Sequence, residues 1–252
     1  MATFEFTGKV ALVSGASRGI GAAIAKGLAA QGARLVLSSR KQEAVGAVAA
    51  EIAASGGEAL PVACHVGHVE QVDALFERIH EEFGRLDVLV NNAATNPYFG
   101  PILEAPGAAF DKTFQINCKG YFLMAQRAAR IMAAQEHGAI INIASVEGIR
   151  PSPLMGVYAM SKAAVIMMTK AMARELGPAG VRVNCVCPGL TETRFAKVLI
   201  ETPEIHEQYI AGTPLGRHAQ PEEIAGAVRY LASDAASYTT GAVLACDGGA
   251  LA

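Results

Sequence analysis

A doubly wound α/β fold, with one seven-stranded parallel sheet and helices on both faces, is what this 252-residue sequence predicts. Three observations carry that expectation. Short apolar, β-branched runs alternate with stretches of helical spacing, a pattern that demands parallel strands joined by right-handed crossovers. The runs are apolar almost throughout instead of alternating, as when helices cover both faces of a sheet. No Pro/Ser-rich linker, repeat or low-complexity tract divides the chain, so residues 1–252 are expected to form a single domain.

Taken in order, the strand-like runs are KVALVSG (9–15), ARLVLSS (33–39), LPVACHV (60–66), LDVLVNN (86–92), GAIINIAS (138–145), VRVNCVC (181–187) and GAVLACDGG (241–249). Between them GIGAAIAKGLAAQGA, QEAVGAVAAEIAASGG, EQVDALFERIHEEFG and AAVIMMTKAMARELGPAG carry apolar residues at helical spacing and run into glycine, a common helix terminator. Residues 108–128 also read as helix, with Asn117 in the middle. Residues 191–218 are irregular in hydrophobicity and interrupted by Pro203, Pro214 and Gly216, and are expected to form a mobile lid.

Composition narrows the function class. With 52% hydrophobic and 17% charged residues the chain should bury a sizeable core. A formal net charge of -2, from 21 basic and 23 acidic residues mixed along the chain, gives no reason to expect binding to nucleic acid or an anionic membrane. No apolar stretch reaches the length of a membrane span, the N-terminal residues lack a signal-peptide pattern and the last three are not S-K-L, so a cytoplasmic location is expected. The five cysteines include no CxxC pair, and His65 and His68 lack a third ligand, so no metal site is expected.

Two constellations carry chemistry. Immediately after the first strand, Ser14-Gly15-Ala16-Ser17-Arg18-Gly19-Ile20-Gly21 opens into a helix. Glycines let the backbone approach a pyrophosphate, and a helix N-terminus offers free N–H groups and partial positive charge. A site for NAD would place an acid about 20 residues further on, against the ribose 2′-hydroxyl. Here the second strand ends in Ser38-Ser39-Arg40, and Arg18 sits in the turn, so Ser39, Arg18 and Arg40 point to the 2′-phosphate of NADP(H). The second constellation is Tyr158 and Lys162, four residues apart and so on one helical face, with Ser145 ending the apolar strand upstream. A lysine one turn from a tyrosine favours the phenolate, whose ordinary pKa is near 10.

With these residues in view, the chain from Lys9 to Gly249 resembles the short-chain dehydrogenases/reductases, most closely their NADP-dependent carbonyl reductase and retinol dehydrogenase members. The Ser14–Gly21 turn, Asn91-Asn92-Ala93-Ala94, Asn117, Ser145, the Tyr158/Lys162 pair, Pro188-Gly189 and Asp247-Gly248-Gly249 carry the resemblance. It implies an NADP(H)-dependent enzyme that interconverts a ketone or aldehyde and an alcohol. Tyr158 would be the general acid/base, and Lys162 would bind the nicotinamide ribose and lower the tyrosine pKa. Ser145 would orient the carbonyl and Asn117 would hold a relay water. Asn91 and Ala93 would lie on the adenine side, and Pro188, Gly189, Thr191 and Thr193 near the nicotinamide. Where many relatives carry Asp-Val after the third strand, this chain has His65 and Val66, with His65 a candidate to stack on adenine.

The resemblance further implies a homotetramer paired through residues 107–134 and 156–177, and a cofactor half up to about residue 150 followed by a catalytic and lid half. Residues Thr95–Phe99, Val146, Glu147, Pro151–Met155 and the lid after Thr193 are expected to line a mostly apolar substrate pocket. Competing readings are a 3-oxoacyl-thioester (acyl-carrier-protein) reductase, an enoyl reductase, a sugar-nucleotide epimerase or dehydratase, and a non-catalytic dinucleotide-binding regulator. Retention of Ser145, Tyr158 and Lys162 argues against the last, and short length against the sugar-nucleotide enzymes. Enoyl reductases space their Tyr and Lys more widely.

Overall fold

The computed structural model describes residues 4–194 and 196–252. Its strands are β1 (Val10–Ser14), β2 (Arg34–Ser39), β3 (Glu58–Ala63), β4 (Val88–Asn91), β5 (Gly138–Ile143), β6 (Val181–Pro188) and β7 (Val243–Cys246). All pair in parallel, in the order β3-β2-β1-β4-β5-β6-β7. The chain runs outward from β1 to β3, returns to β4 and continues to β7. The reversal opens a crevice between the carboxyl ends of β1 and β4, where sheets of this kind bind ligands.

Alternate residues of the central strands feed a core on each face of the sheet. Ala11 and Val13 of β1 and Leu35 and Leu37 of β2 pack with Ile24 and Leu28 of α1 (Gly19–Ala29), Val45 and Ile52 of α2 (Gln42–Ala54), and Ile224 and Val228 of α9 (Pro221–Ala232). Val10, Leu12 and Val36 face the other way, onto Val72, Leu75 and Ile79 of α3 (Val69–Phe83), Met124 and Ala128 of α5 (Tyr121–Ala134), and Ala173 of α6 (Gly156–Leu176). Each fully buried Leu or Ile contributes about 1.5–3 kcal/mol. That is why the central strands carry no polar face.

The edges depart from the expectation of uninterrupted apolar strands. The third strand starts at Glu58 and ends at Ala63, short of the predicted CHV segment, and is only partly buried. Pro61 explains its place, because a residue without an N–H is tolerated only at a sheet edge. Its carbonyl accepts from Gln42 Nε2 at 2.9 Å, while Ala63 N donates to Gln42 Oε1 at 2.8 Å. Asp87, just before β4, ties the bottom of the sheet: Oδ2 accepts from Val10 N at 2.8 Å and Arg85 Nη2 donates to Oδ1 at 2.6 Å.

Two further helical features set up the site. Helix α6 begins at Gly156, which puts Tyr158 in its first turn, at the head of the helix as the Tyr158–Lys162 spacing predicts. Helix α4 (Gly107–Phe114) passes into α5 through a π-helical stretch, Gln115–Gly120, with Asn117 inside it. Such wide turns free backbone groups and recur at functional positions. The region expected to be a lid contains two short helices, α7 (Lys197–Glu201) and α8 (Pro203–Ala211), the second opened by Pro203, whose missing N–H is not needed there.

Candidate active site

The glycine turn is locked to the end of β4. Ser14 Oγ accepts from the N–H of Asn92 at 3.0 Å and of Ala93 at 3.2 Å, and Asn92 Nδ2 donates to the carbonyls of Ser14 at 3.0 Å and Gly15 at 3.2 Å. Gly19 has φ +54°, and a Cβ on Gly21 would lie 2.4 Å from Gly15 O. Neither position admits a side chain, so the first turn of α1 presents bare backbone to the crevice.

That crevice is a cavity of about 310 Å³ running along the carboxyl ends of β1 to β6. Gly15, Ser17, Arg18, Gly19, Ile20, Gly21, Ser39, Arg40, His65, Val66 and Ala93 line one part of it, and Ser145, Tyr158, Lys162, Pro188, Gly189, Thr191 and Thr193 another. The structure thus brings both constellations of the sequence into one continuous space. Arg18 and Arg40 are exposed beside Ser39 at the end of β2. His65 Nδ1 accepts from Gly67 N at 3.1 Å, which leaves the ring proton on Nε2. Its pKa is lowered, first by burial and then by the nearby Lys112, His68 and Arg40, so it stays neutral. Its ring meets His68 edge-on at 4.5 Å between centroids.

Two expected residues do not reach the cavity. Asn91 is fully buried on the other side of the strand, donating from Nδ2 to Tyr121 O at 3.2 Å and Asn142 Oδ1 at 3.0 Å. Asn142 in turn donates to Thr169 Oγ1 at 2.9 Å. Successive strand residues face opposite sides, and the asparagine that holds the turn is therefore Asn92. Asn117 is also fully buried: Oδ1 accepts from Thr95 N at 2.9 Å, and Nδ2 donates to Thr95 O and Ser161 Oγ, both at 3.0 Å. Its side chain braces the loop after β4 against α6.

Deeper in the cavity, Ser145 follows β5 and Tyr158 is 8% exposed at the head of α6. Burial pushes the Tyr158 pKa up, and a hydrogen bond with Ser145 only partly opposes it. This differs from the expected lowering by Lys162. The lysine is 1% exposed and its ammonium is directed elsewhere, donating to Ile143 O at 2.7 Å and toward Tyr121 OH at 3.5 Å, with Nζ 5.6 Å from the Tyr158 ring centroid. Burial lowers the Lys162 pKa to about 8. The site thus holds a neutral phenol, a hydroxyl bonded to it and a buried ammonium in reach of one ligand.

The substrate end is less apolar than expected. Thr95, Val146, Glu147 and Met155 line it, joined from the lid side by Arg194, Ala196, Leu199 and Tyr209, but Asn96–Phe99 and Pro151–Leu154 do not. Glu147 is 6% exposed and is the one acid lining the cavity among the described residues. Its oxygens accept from Ser152 N and Ser152 Oγ, each at 2.7 Å.

Residues 15–250 match the family model described as "Enoyl-(Acyl carrier protein) reductase". The chain is 39% identical to "Dehydrogenase/reductase SDR family member 4" of Bos taurus over 96% of this chain and 87% of that protein. It is 42% identical to the "3-oxoacyl-[acyl-carrier-protein] reductase" of a Synechocystis species, over 96% of this chain and 97% of that one. Among solved structures, a gluconate 5-dehydrogenase from Burkholderia cenocepacia, in complex with NADP and tartrate, superposes with a TM-score of 0.95 at 34% identity, covering 98% of this chain and 97% of that one.

Proposed function

The chain belongs to the short-chain dehydrogenase/reductase family, and on that premise we propose that it is an NADP(H)-dependent oxidoreductase interconverting a ketone or aldehyde and its alcohol. The observation that carries this reading is a neutral, buried Tyr158 hydrogen-bonded to Ser145 in the same cavity as the glycine turn. The turn fits a dinucleotide: Gly21 has no room for a Cβ, and bare N–H groups of the first α1 turn suit a pyrophosphate. Arg18, Arg40 and Ser39 would hold the 2′-phosphate, with no acid beside them in the cavity lining. Lys162 would reach the nicotinamide ribose, and Pro188, Gly189, Thr191 and Thr193 would flank the ring.

When bound, the nicotinamide supplies or takes up the hydride. In reduction, Ser145 donates a hydrogen bond to the carbonyl oxygen, and Tyr158 O–H passes its proton to that oxygen as charge develops there. In oxidation, the phenolate of Tyr158 takes the alcohol proton. The Asn117 side chain is committed to Thr95 and Ser161, so its part is to position the loop after β4 against α6.

A 3-oxoacyl-thioester reductase is the second reading, favoured by the 42% identity to the Synechocystis protein. Purified protein mixed with NADPH or NADH and a panel of ketones, diketones and a 3-oxoacyl thioester, followed by cofactor absorbance, separates the two. Oxidation of neither cofactor by any carbonyl compound would overturn both.

We also propose a cytoplasmic homotetramer that acts on a small molecule. Phe110, Phe122, Met160 and Met167 leave apolar surface exposed on α4, α5 and α6, as a buried subunit contact would require. No helix among the described residues is long and apolar enough to cross a membrane. A sedimentation mass of one subunit at micromolar concentration would refute the tetramer.

A further inference from the structure

The substrate end of the cavity contains a carboxylate that the reduction itself does not use. We infer that Glu147, with Ser152 and Tyr209, forms a hydroxyl-recognition subsite that selects carbonyl compounds bearing a neutral hydroxyl group next to the reacting carbon. The assignment deepens the carbonyl-reductase reading above and rests on it.

Three observations converge. Glu147 is nearly enclosed, yet it lines the cavity together with Ser145 and Tyr158. Its carboxylate is close enough to the Tyr158 and Tyr209 hydroxyls to oppose ionisation of both. Tyr209 comes from α8 in the lid, lines the same space and hydrogen-bonds to Ser152. Acid and phenol thus face the reacting groups from two different elements, the loop after β5 and the lid, with Ser152 joining them.

The hydrogen bonds leave capacity for a ligand. Each carboxylate oxygen offers two acceptor positions, and Ser152 fills one on each, at 2.7 Å from its N–H and 2.7 Å from its hydroxyl. Those two bonds fix the orientation of the carboxylate. Burying an acid is costly unless its acceptors find partners; Ser152 supplies one to each oxygen, and the second position on each can take a donor from the cavity side. A hydroxyl of the substrate donates to Glu147, beside the Tyr209 phenol, whose own proton goes to Ser152. A carboxylate or phosphate at the same place would be repelled by Glu147. An ammonium would be disfavoured by Lys162 and Arg194, which line the same cavity.

The test uses matched carbonyl pairs that differ by one hydroxyl, acetoin against butanone and hydroxyacetone against acetone, with NADPH as reductant. In the parent, kcat/KM is expected to favour the hydroxylated member by about tenfold or more, because a site built around a polar group discriminates against the analogue that leaves it unpaired. Glu147→Leu is expected to lose about tenfold of that ratio, mainly through KM of the hydroxylated member. Glu147→Gln keeps an acceptor oxygen and can still bond Ser152, so it is expected to fall between the two and guards against misfolding of the leucine variant. A ratio unchanged in both variants, with the parent active on both members of each pair, would overturn the subsite alone. A parent that reduces no carbonyl compound at all would overturn the reductase reading and this assignment with it.

Discussion

Replacing Lys162 with Met is expected to stabilise the cofactor-free protein at neutral pH while removing its activity. Lys162 is 1% exposed, and burial lowers its pKa from 10.5 to about 8. A difference of about 2.5 units between unfolded and folded states corresponds to roughly 3 kcal/mol that the fold forgoes to keep the ammonium charged. The folded pKa lies below the unfolded one, so between about pH 8 and 10.5 the unfolded chain holds a proton that the folded one has released. Stability therefore rises with pH across that window, and the penalty is fully present below it. Methionine removes the charge and forfeits a hydrogen bond, about 1 kcal/mol, but Ile143 O keeps the Tyr121 hydroxyl as a donor at 3.1 Å. The net gain at pH 7 is about 2 kcal/mol, roughly a 1 M shift in a urea midpoint for a slope of 2–3 kcal/mol/M. The assay is urea unfolding of both proteins at pH 7, 8, 9 and 10, at one protein concentration. On going to pH 10 the advantage of the methionine variant should fall by about 2.5 kcal/mol and so vanish. A gap that stays flat would refute the reasoning, since it would mean that Lys162 is not held below its ordinary pKa.

Tyr158→Phe is expected to lose about 10²- to 10⁴-fold in turnover while NADPH still binds, as read by cofactor fluorescence; near-parental turnover in a folded variant would shift the proton donor elsewhere. Arg40→Ala should lower the NADPH-to-NADH ratio of kcat/KM by about 10- to 100-fold, the worth of one charged hydrogen bond, and an unchanged ratio would remove Arg40 from phosphate recognition. Gly21→Ala places a methyl 2.4 Å from Gly15 O and is expected to abolish NADPH binding and lower the thermal midpoint, with calorimetry and cofactor titration as the two measurements. In hydrogen exchange without ligand, α8 should exchange faster than β1 and β5, because none of its residues is buried. Equal protection would show that the lid is rigid.

Much of this was legible in the sequence because it is local. The glycine turn, the Tyr158–Lys162 spacing and the strand-ending Ser145 each declare their geometry within a few residues, and parallel topology then brings them to one edge of the sheet. What stayed illegible depends on which way a side chain faces or on what lies far away in the chain. Asn91 and Asn92 are adjacent and chemically identical, and only the end of β4 decides which one holds the turn. Strand parity was the available signal, since Val90 feeds the same core as Ala11 and Val13. The expectation that Lys162 depresses the Tyr158 pKa assumed an ammonium directed at the phenol, whereas Ile143 O, from β5, draws it away. Glu147 read as one residue among small and apolar ones. Its significance comes from enclosure by Ser152 and by Tyr209, 62 positions downstream. The π-helical stretch around Asn117 has nearly the same hydrophobic pattern as an ordinary helix and could not be distinguished from one by spacing.

The chain of side-chain amides from Asn91 through Asn142 to Thr169 has a consequence for how the molecule comes apart. It links β4, β5 and α6, and so spans the boundary near residue 150 between the two halves of the sequence. Its residues are fully buried, so separating the halves would leave the Asn142 amide without its threonine partner and without water to replace it. Unfolding should then be a single concerted event, and a polypeptide ending near residue 150 would expose Asn142 without its threonine and fail to hold the sheet that the full chain builds.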